Sequence, residues 1–207
     1  MSKPQRIAAA LALCLLVSGV FAQRALRGSA PDLGRSLEGR HEWTFARLAY
    51  DGGFGRGGWS VDYPGAEYHF SGAVRRLTRV DADLEGSVVR PDTDDLFDYP
   101  WLYAVEVGSW GFSPDQAARI REYLLRGGFL MCDDFHGESE WDAFMVGMQE
   151  IFPDREVVDV PANDLIYGMP YPIRERVQVP GPQYMSTGLP YERPDGVTPH
   201  WRGIRDD

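Results

Sequence analysis

Short apolar runs alternate with amphipathic stretches along most of the chain. Five runs have the length and the β-branched or aromatic content that predict strands: Trp43–Tyr50, Ser87–Arg90, Trp101–Val107, Phe129–Cys132 and Glu156–Val160. Stretches with helical spacing separate several of them. Strands that alternate with helices predict a mainly parallel central sheet with helices on both faces, which is a three-layer α/β sandwich.

The predicted helix between the third and fourth strands has clear signals at both ends. Ser113 suits the N-cap, Pro114 suits the first helical position, and Gln116 stands three residues after the cap. Gly127 suits the left-handed position that commonly ends a helix. We therefore expect a helix from Ser113 to Gly127.

Two further helices are predicted from apolar residues that share one side. The helix over about 66–78 is expected to turn four residues toward the sheet: Tyr68, Ala73, Val74 and Leu77. A later helix, which we expect Ser139 to cap, carries another four: Phe144, Met145, Met148 and Ile151. Beyond Pro161 the chain becomes rich in loops and proline.

The first 22 residues have the pattern of an export signal. Lys3 and Arg6 form a basic start before a long apolar run. Val20 and Ala22 are the small residues that a signal peptidase reads, so the mature chain is expected to begin at Gln23. The apolar run is slightly short for a membrane span of about 20 residues, which keeps an uncleaved anchor as the alternative.

Residues 23–40 are rich in Arg, Gly and Ser without periodicity and are interpreted as a linker, so the domain is expected to span 41–207.

The net charge restricts the classes of binding partner. The formal net charge is −10, and it becomes −12 once Lys3 and Arg6 leave with the signal. This acidity disfavours nucleic acid and anionic membranes, which bind clustered Lys and Arg. We expect a protein of the periplasm or cell envelope that meets a membrane only if the signal is uncleaved.

Cys132 is the lone cysteine of the mature chain, because Cys14 leaves with the signal. It is either a nucleophile or a small residue that completes a strand buried on both faces. A nucleophile in a tight strand-to-helix turn needs neighbouring glycines, and none lies within two residues. Asp133 and Asp134 would also raise the pKa of the thiol. We therefore expect Cys132 to be buried and inert.

Carboxylates and an imidazole follow Cys132 directly. Asp133, Asp134 and His136, together with Glu106 near the end of the third predicted strand, are candidate catalytic residues. The first three are also candidate ligands for Mg, Mn or Zn. Adjacent residues of a regular strand point to opposite faces, so Asp133 and Asp134 converge only where the strand is irregular. The alternative is a polar loop whose carboxylates cap the next helix.

The segment Gly53–Gly58 matches the spacing GxGxxG after a strand, as in dinucleotide-binding sites. The helix that such a site requires does not begin there, because Trp59–Pro64 intervenes. We interpret the segment as a surface loop and expect no cofactor.

Aromatic residues follow three of the predicted strands. They are the candidate ligand-binding residues Trp59, Trp110, Phe112, Phe135 and Trp141. The loops after parallel strands share one edge of the sheet, where open α/β sheets bind ligands, so a sugar ring could stack on Trp59 or Trp110 there. The alternative is that these rings fold back onto the core.

Several segments resemble one bacterial family, the domain of unknown function 4159. The resemblance covers about residues 41–207 and rests on Phe45–Gly53, Leu96–Tyr103, Leu124–Leu130, Ile151–Pro153 and His200–Ile204. It implies an exported or membrane-associated protein with a flavodoxin-like fold similar to class I glutamine-amidotransferase-like domains, and it implies no activity. Family members usually continue past the last segment. C-terminal truncation of this chain is therefore one alternative.

These patterns lead to two alternative functions. The first is a non-catalytic module of the cell envelope that binds a carbohydrate, another small ligand or envelope proteins. The second is a hydrolase at the carboxyl edge of the sheet, which uses Asp133, His136 and Glu106 around a metal or as acid and base.

Overall fold

The computed structural model describes residues 41–52, 58–169 and 171–205. The predicted signal at 1–22, the linker at 23–40 and most of the glycine-rich segment Gly53–Gly58 lie outside these ranges. Within them, no helix combines the length and the apolar character that crossing a membrane requires.

Short strands, four α-helices and several short 3-10 helices make up the regular structure of the described residues. The strands are β1 (Trp43–Leu48), β2 (Asp51–Gly52), β3 (Ala82–Val89), β4 (Trp101–Val105), β5 (Trp110–Gly111), β6 (Phe129–Asp133), β7 (Val158–Asp159) and β8 (Arg202–Gly203). The helices are α1 (Gly65–Leu77), α2 (Pro114–Leu125), α3 (Gly137–Ile151) and the one-turn α4 (Tyr184–Thr187).

The central sheet contains four parallel strands in the order β3-β1-β4-β6. Helix α1 packs against β1 and β3 on one face, whereas α2 and α3 pack together over the other face. The first four predicted strands are therefore confirmed, and so is the α/β sandwich, which has a flavodoxin-like arrangement. The strand order changes direction between β1 and β4, and ligands of open α/β sheets bind at the carboxyl ends of strands beside such a point.

The main core lies between the sheet and the helices α2 and α3. Alternate residues of β1 face it, and they pack with residues of β4, α2 and α3: Ala46, Leu48, Leu102, Ala104, Ile120, Tyr123, Phe144 and Ile151. Phe45 and Arg47 point to the opposite face, toward α1.

Helix α2 has the ends that its sequence predicts. Ser113 Oγ accepts a hydrogen bond from Gln116 N at 3.2 Å, and Ser113 N donates to Gln116 Oε1 at 2.8 Å, which completes a capping box. Gly127 has a φ of 96°, a left-handed conformation that favours glycine. Local capping chemistry is therefore sufficient to place this helix.

Helix α1 is rotated relative to the prediction. The four residues expected to face the sheet are exposed or half-buried: Tyr68, Ala73, Val74 and Leu77. Glu67 and Ser71 are buried instead. The cause is Arg47, which projects from β1 toward the helix and forms an ion pair with Glu67.

Strand β6 is at the end of the sheet order, so the prediction that Phe129–Cys132 is buried on both faces was wrong. Phe129 is 51% exposed, and Trp101 and Tyr103 of β4 are half-buried on the same face. The fifth predicted strand does not extend the sheet. Only Val158 and Asp159 of it are extended, and they pair antiparallel with β8.

The start of α3 also differs from the prediction. The helix begins at Gly137, with His136 at the N-cap, so Ser139 lies within the first turn and is not the cap. Gly137 has a φ of 75°, which lets the chain turn into the helix directly after β6. The early start brings His136 next to the strand end, beside the candidate site.

Candidate functional site

The carboxyl ends of β1, β4 and β6 meet at one edge of the sheet. Tyr50 follows β1, Glu106 follows β4 and Asp134 follows β6. The Tyr50 hydroxyl is within hydrogen-bonding distance of the carbonyl oxygens of Val105 (2.8 Å) and Glu106 (2.9 Å), so its one proton is shared between them. Burial raises the pKa of Tyr50 to about 12, which keeps the hydroxyl a donor.

Two neighbouring strands end in the same unusual backbone conformation. Glu106 has a φ of 54° and Asp134 a φ of 58°, both in the left-handed region that non-glycine residues rarely adopt. A hydrogen bond from Glu106 N to Asp133 O, at 3.1 Å, joins the two strand ends. Left-handed non-glycine residues cost about 1–3 kcal/mol each and concentrate at functional sites. The left-handed turn is also the irregularity that separates Asp133 from Asp134.

His136 connects the strand end to the surrounding carboxylates. Its Nε2 lies 3.1 Å from Asp134 Oδ1 and 3.8 Å from Glu192 Oε2. Its backbone N donates to Glu140 Oε2 at 2.6 Å. The His136 side chain is 20% exposed.

These side chains form what we call the carboxyl-edge cluster: Tyr50, Glu106, Asp134, His136, Glu140 and Glu192. The cluster raises the pKa values of Glu106 and His136. Partial burial raises the pKa of Glu106, and the negative charges of Asp134 and Glu140 raise it further. The hydrogen bond to Asp134 raises the pKa of His136, and Glu192 adds to the effect against an opposing contribution from burial. His136 therefore keeps its positive charge to a higher pH than an ordinary histidine.

Asp133 does not join this cluster. Its carboxylate points to the other face of the sheet, where the Tyr103 hydroxyl lies 3.4 Å from Asp133 Oδ2. The structure thus brings together Glu106, Asp134 and His136 among the predicted catalytic residues. Among the described residues, no group of three or more His, Cys, Asp or Glu side chains has the arrangement that would hold a metal ion.

Cys132 is half-buried and not fully buried as predicted; it lies apart from the cluster and packs against the core beneath α2 and α3. Burial raises the pKa of its thiol, and the charge of Asp133 raises it further. A thiol in this environment is protonated at neutral pH and is a poor nucleophile.

Cys132 should therefore react slowly with a thiol reagent while the protein is folded. We expect its modification by iodoacetamide to be more than about tenfold slower in buffer than in denaturant, because burial suppresses both access and thiolate formation. Mass spectrometry of the Cys132 peptide measures the two rates. Equal rates would restore the nucleophile interpretation.

The five aromatic candidates pack against the core. Trp110 is 7% exposed, its ring stacks on Phe144 at 5.1 Å, and its Nε1 donates to the Phe144 carbonyl at 3.2 Å. The other four are partly buried and contact the same core: Trp59, Phe112, Phe135 and Trp141. Arg202 covers one face of the Trp141 ring at 4.3 Å. A ligand cannot stack on Trp110 in this arrangement without opening the core.

Two surface pockets lie elsewhere on the molecule. One, of about 400 Å³, is lined by Pro161, Asn163, Asp164, Leu165 and Arg205. The other, of about 340 Å³, lies between the first half of α2 and the end of α3. Neither is lined by Glu106, Asp134 or His136, so the candidate site is defined by converging polar groups and not by these pockets.

Three residues of the cluster were missed in the sequence. Tyr50 ends a predicted strand, and Glu140 follows His136 by four residues, so both positions carried a usable signal. Glu192 lies in a proline-rich loop far along the chain, where no periodicity links it to the sheet.

The fold and its carboxyl-edge cluster define an α/β domain of the flavodoxin-like class. The chain belongs to the family described as a domain of unknown function (DUF4159), which matches residues 44–207. This confirms the family that its segments resemble. A search of curated proteins finds none that matches the chain.

Proposed function

We propose that this chain is an exported, non-catalytic module of the cell envelope that binds a small ligand at the carboxyl-edge cluster. One observation carries the proposal: Glu106, Asp134 and His136 converge from the ends of two adjacent parallel strands. Two of these residues sit in strained backbone conformations, which proteins retain mainly at functional positions. The edge is also where open α/β sheets bind ligands.

The charge of the cluster indicates the chemistry of the ligand. Carboxylates of Glu106, Asp134, Glu140 and Glu192 surround His136, and ionised carboxylates only accept hydrogen bonds. A matching ligand therefore presents several hydrogen-bond donors, as the hydroxyls of a carbohydrate do. The envelope supplies such glycans in abundance, which supports a carbohydrate as the first class to test.

Binding is favoured over catalysis by the state of the titratable groups. The raised pKa of His136 extends the imidazolium form to higher pH, and an imidazolium donates hydrogen bonds and accepts none, which suits ligand binding. Its Nε2 is hydrogen-bonded to Asp134. The thiol of Cys132 lies beneath the helices.

A hydrolase with Glu106 as the acid is the second candidate. The raised pKa of Glu106 favours it, because a general acid must hold its proton close to the working pH. Distinguishing it from binding requires a measurement of product as well as of affinity.

Binding to a panel of envelope glycans should depend on the cluster. We expect Glu106→Gln and Asp134→Asn each to weaken binding of the glycans that the wild type retains by about tenfold or more, since hydrogen bonds to charged groups contribute about 1.5–3 kcal/mol. Asp98→Asn is the matched control, because it removes one exposed carboxylate at the opposite end of β4. Calorimetry measures affinity, and chromatography of the incubated glycan detects cleavage.

The outcomes separate the two candidates. Unchanged affinity in both cluster variants would exclude this site. Cleavage by the wild type that disappears in Glu106→Gln would establish the hydrolase instead.

Export is proposed from the sequence pattern of residues 1–22 alone. The mature chain would then begin at Gln23 in the periplasm or cell envelope. N-terminal sequencing of protein from the envelope fraction reads the cleavage position, and a retained Met1 would favour the anchor.

A relationship to class I glutamine-amidotransferase-like domains is likewise a proposal. The parallel sheet supports it, although Cys132 lacks the glycine-flanked turn of their nucleophile.

A further inference from the structure

A short C-terminal segment lies across the first turn of α3 and reaches the candidate site. It comprises Tyr191–Gly196, and we call it the strap. A hydrogen bond from Gly196 N to Arg193 O, at 2.9 Å, closes it into a compact turn. Leu189, two residues before the strap, and Val197, directly after it, are 43% and 50% exposed. The strap is therefore a local turn between solvent-exposed stretches.

Three polar contacts hold the strap in place. They pair Glu192 with His136, Arg193 with Glu140, and Asp195 with the backbone N–H of Glu138. Glu138 N donates to Asp195 Oδ2 at 3.0 Å, which satisfies an N–H of α3 that the N-cap residue leaves without a side-chain acceptor. This hydrogen bond lowers the pKa of Asp195, so the carboxylate stays ionised near neutral pH.

The α3 turn is shaped to receive the strap. A Cβ atom on Gly137 would lie 2.6 Å from Asp195 Oδ1, and one on Gly196 would lie 3.2 Å from Gly137 N. Side chains at these positions would push the two segments apart. Close seating of the strap therefore depends on glycine on both sides of the contact.

The contacts of the strap are nevertheless of the kind that opens easily. Its four central residues, 192–195, are exposed, and the side chains of Glu192 and Arg193 are 37% and 49% exposed. Ion pairs between partly exposed side chains contribute little individually. Segments with few buried apolar contacts are the ones that open locally while the domain stays folded.

We propose that the strap gates the carboxyl-edge site: it closes over His136 through Glu192 and opens to admit the ligand. The proposal rests on the proposed ligand site and adds the control of access to it. In the closed state Glu192 lies against His136, with Oε2 3.8 Å from Nε2, and Arg193 pairs with Glu140. In the open state His136 and the cluster carboxylates face solvent, ready for a ligand that offers donors.

Chemical modification of His136 in the full chain tests the gate. Diethylpyrocarbonate modifies accessible imidazoles, and mass spectrometry gives the rate at each histidine. We expect Arg193→Ala and Asp195→Ala each to raise the rate at His136 by at least about threefold, because each removes one of three weak contacts. Exposed His69 on α1 is the internal reference and should not change. Arg126→Ala, which removes an exposed ion pair with Glu122 in another part of the fold, is the control variant.

Amide hydrogen exchange separates a gate from a general loss of stability. Exchange should rise at Glu138 and Gly196 in the two strap variants and stay unchanged in the sheet. Unchanged modification of His136 would overturn the gate, and so would a rise in exchange throughout the domain, because the strap would then be an integral part of the fold. Neither measurement uses a ligand, so a failed glycan screen would reject the proposed function without affecting this result.

Discussion

Replacing Arg47 with alanine is expected to lower the free energy of unfolding by about 3–5 kcal/mol, as removal of one partner of a buried ion pair typically does. The side chains of Arg47 and Glu67 are both 0% exposed and form an ion pair between β1 and α1. Arg47 Nη1 also donates to the carbonyl oxygens of Trp59 and Val61, each at 3.0 Å. Alanine would leave the Glu67 carboxylate buried without its partner and would release the turn that precedes α1.

Urea unfolding measures this loss, and two further variants control it. Arg90→Ala removes an arginine at the end of the neighbouring strand β3, where the ion pairs with Asp51 and Asp92 are partly exposed, so it should cost less than about 1 kcal/mol. The double variant Arg47→Met/Glu67→Leu should recover much of the loss, because it leaves no unpaired buried charge. Equal losses in Arg47→Ala and Arg90→Ala would contradict the argument.

The same ion pair explains why the face of α1 was not predictable. Its apolar residues suggest that Tyr68 and Leu77 face the sheet, yet they are 59% and 58% exposed. A shift of one residue along a helix rotates the buried side by about 100°. The partner that fixes this rotation is Arg47, which is 20 residues away from Glu67. A sequence pattern within one helix contains no information about a charged residue on a strand beneath it.

Local signals did place most of the elements. The capping residues Ser113 and Gln116 fixed one helix, and apolar runs between turn-forming residues fixed the strands of the sheet. The run from Glu156 to Val160 has the same local character, but it does not join the central sheet. Its residues Val158 and Asp159 pair instead with Gly203 and Arg202. Strand pairing is a long-range property, so apolar content identified the extended segment without identifying its partner.

The candidate site was predictable as far as strand ends determine it. Glu106 and Asp134 follow adjacent parallel strands, and carboxyl ends of such strands share one edge of a sheet. The left-handed backbone conformations that orient these two side chains could not be predicted from the residue types, since neither residue is glycine. Glu192 joins the cluster through a loop whose path no local pattern describes.

Replacing Trp110 with alanine is expected to destabilise the protein by about 3–5 kcal/mol, the usual cost of deleting a large buried aromatic side chain. Trp110 follows a predicted strand and was a candidate for stacking on a ligand, but its ring packs against Phe144 and Tyr50, with centroid distances of 5.1 and 6.4 Å. Its Nε1 already donates to the Phe144 carbonyl. We therefore expect the variant to lose stability first, with urea unfolding as the measurement.

A pair of glycine variants tests the same packing from the side of the helix. A Cβ atom on Gly147 of α3 would lie 2.3 Å from Trp110 Nε1, so Gly147→Ala should cost about 1–3 kcal/mol through overpacking. A Cβ atom added to Gly72 of α1 would have no neighbour within 4 Å apart from the backbone of its own helix. Gly72→Ala should therefore gain about 0.5–1 kcal/mol of stability from helix propensity alone. Because both changes add one methyl group within a helix, the difference in sign isolates the contact with Trp110. A gain in stability in both variants would show that the ring is free to move, and Trp110 would return as a candidate for ligand binding.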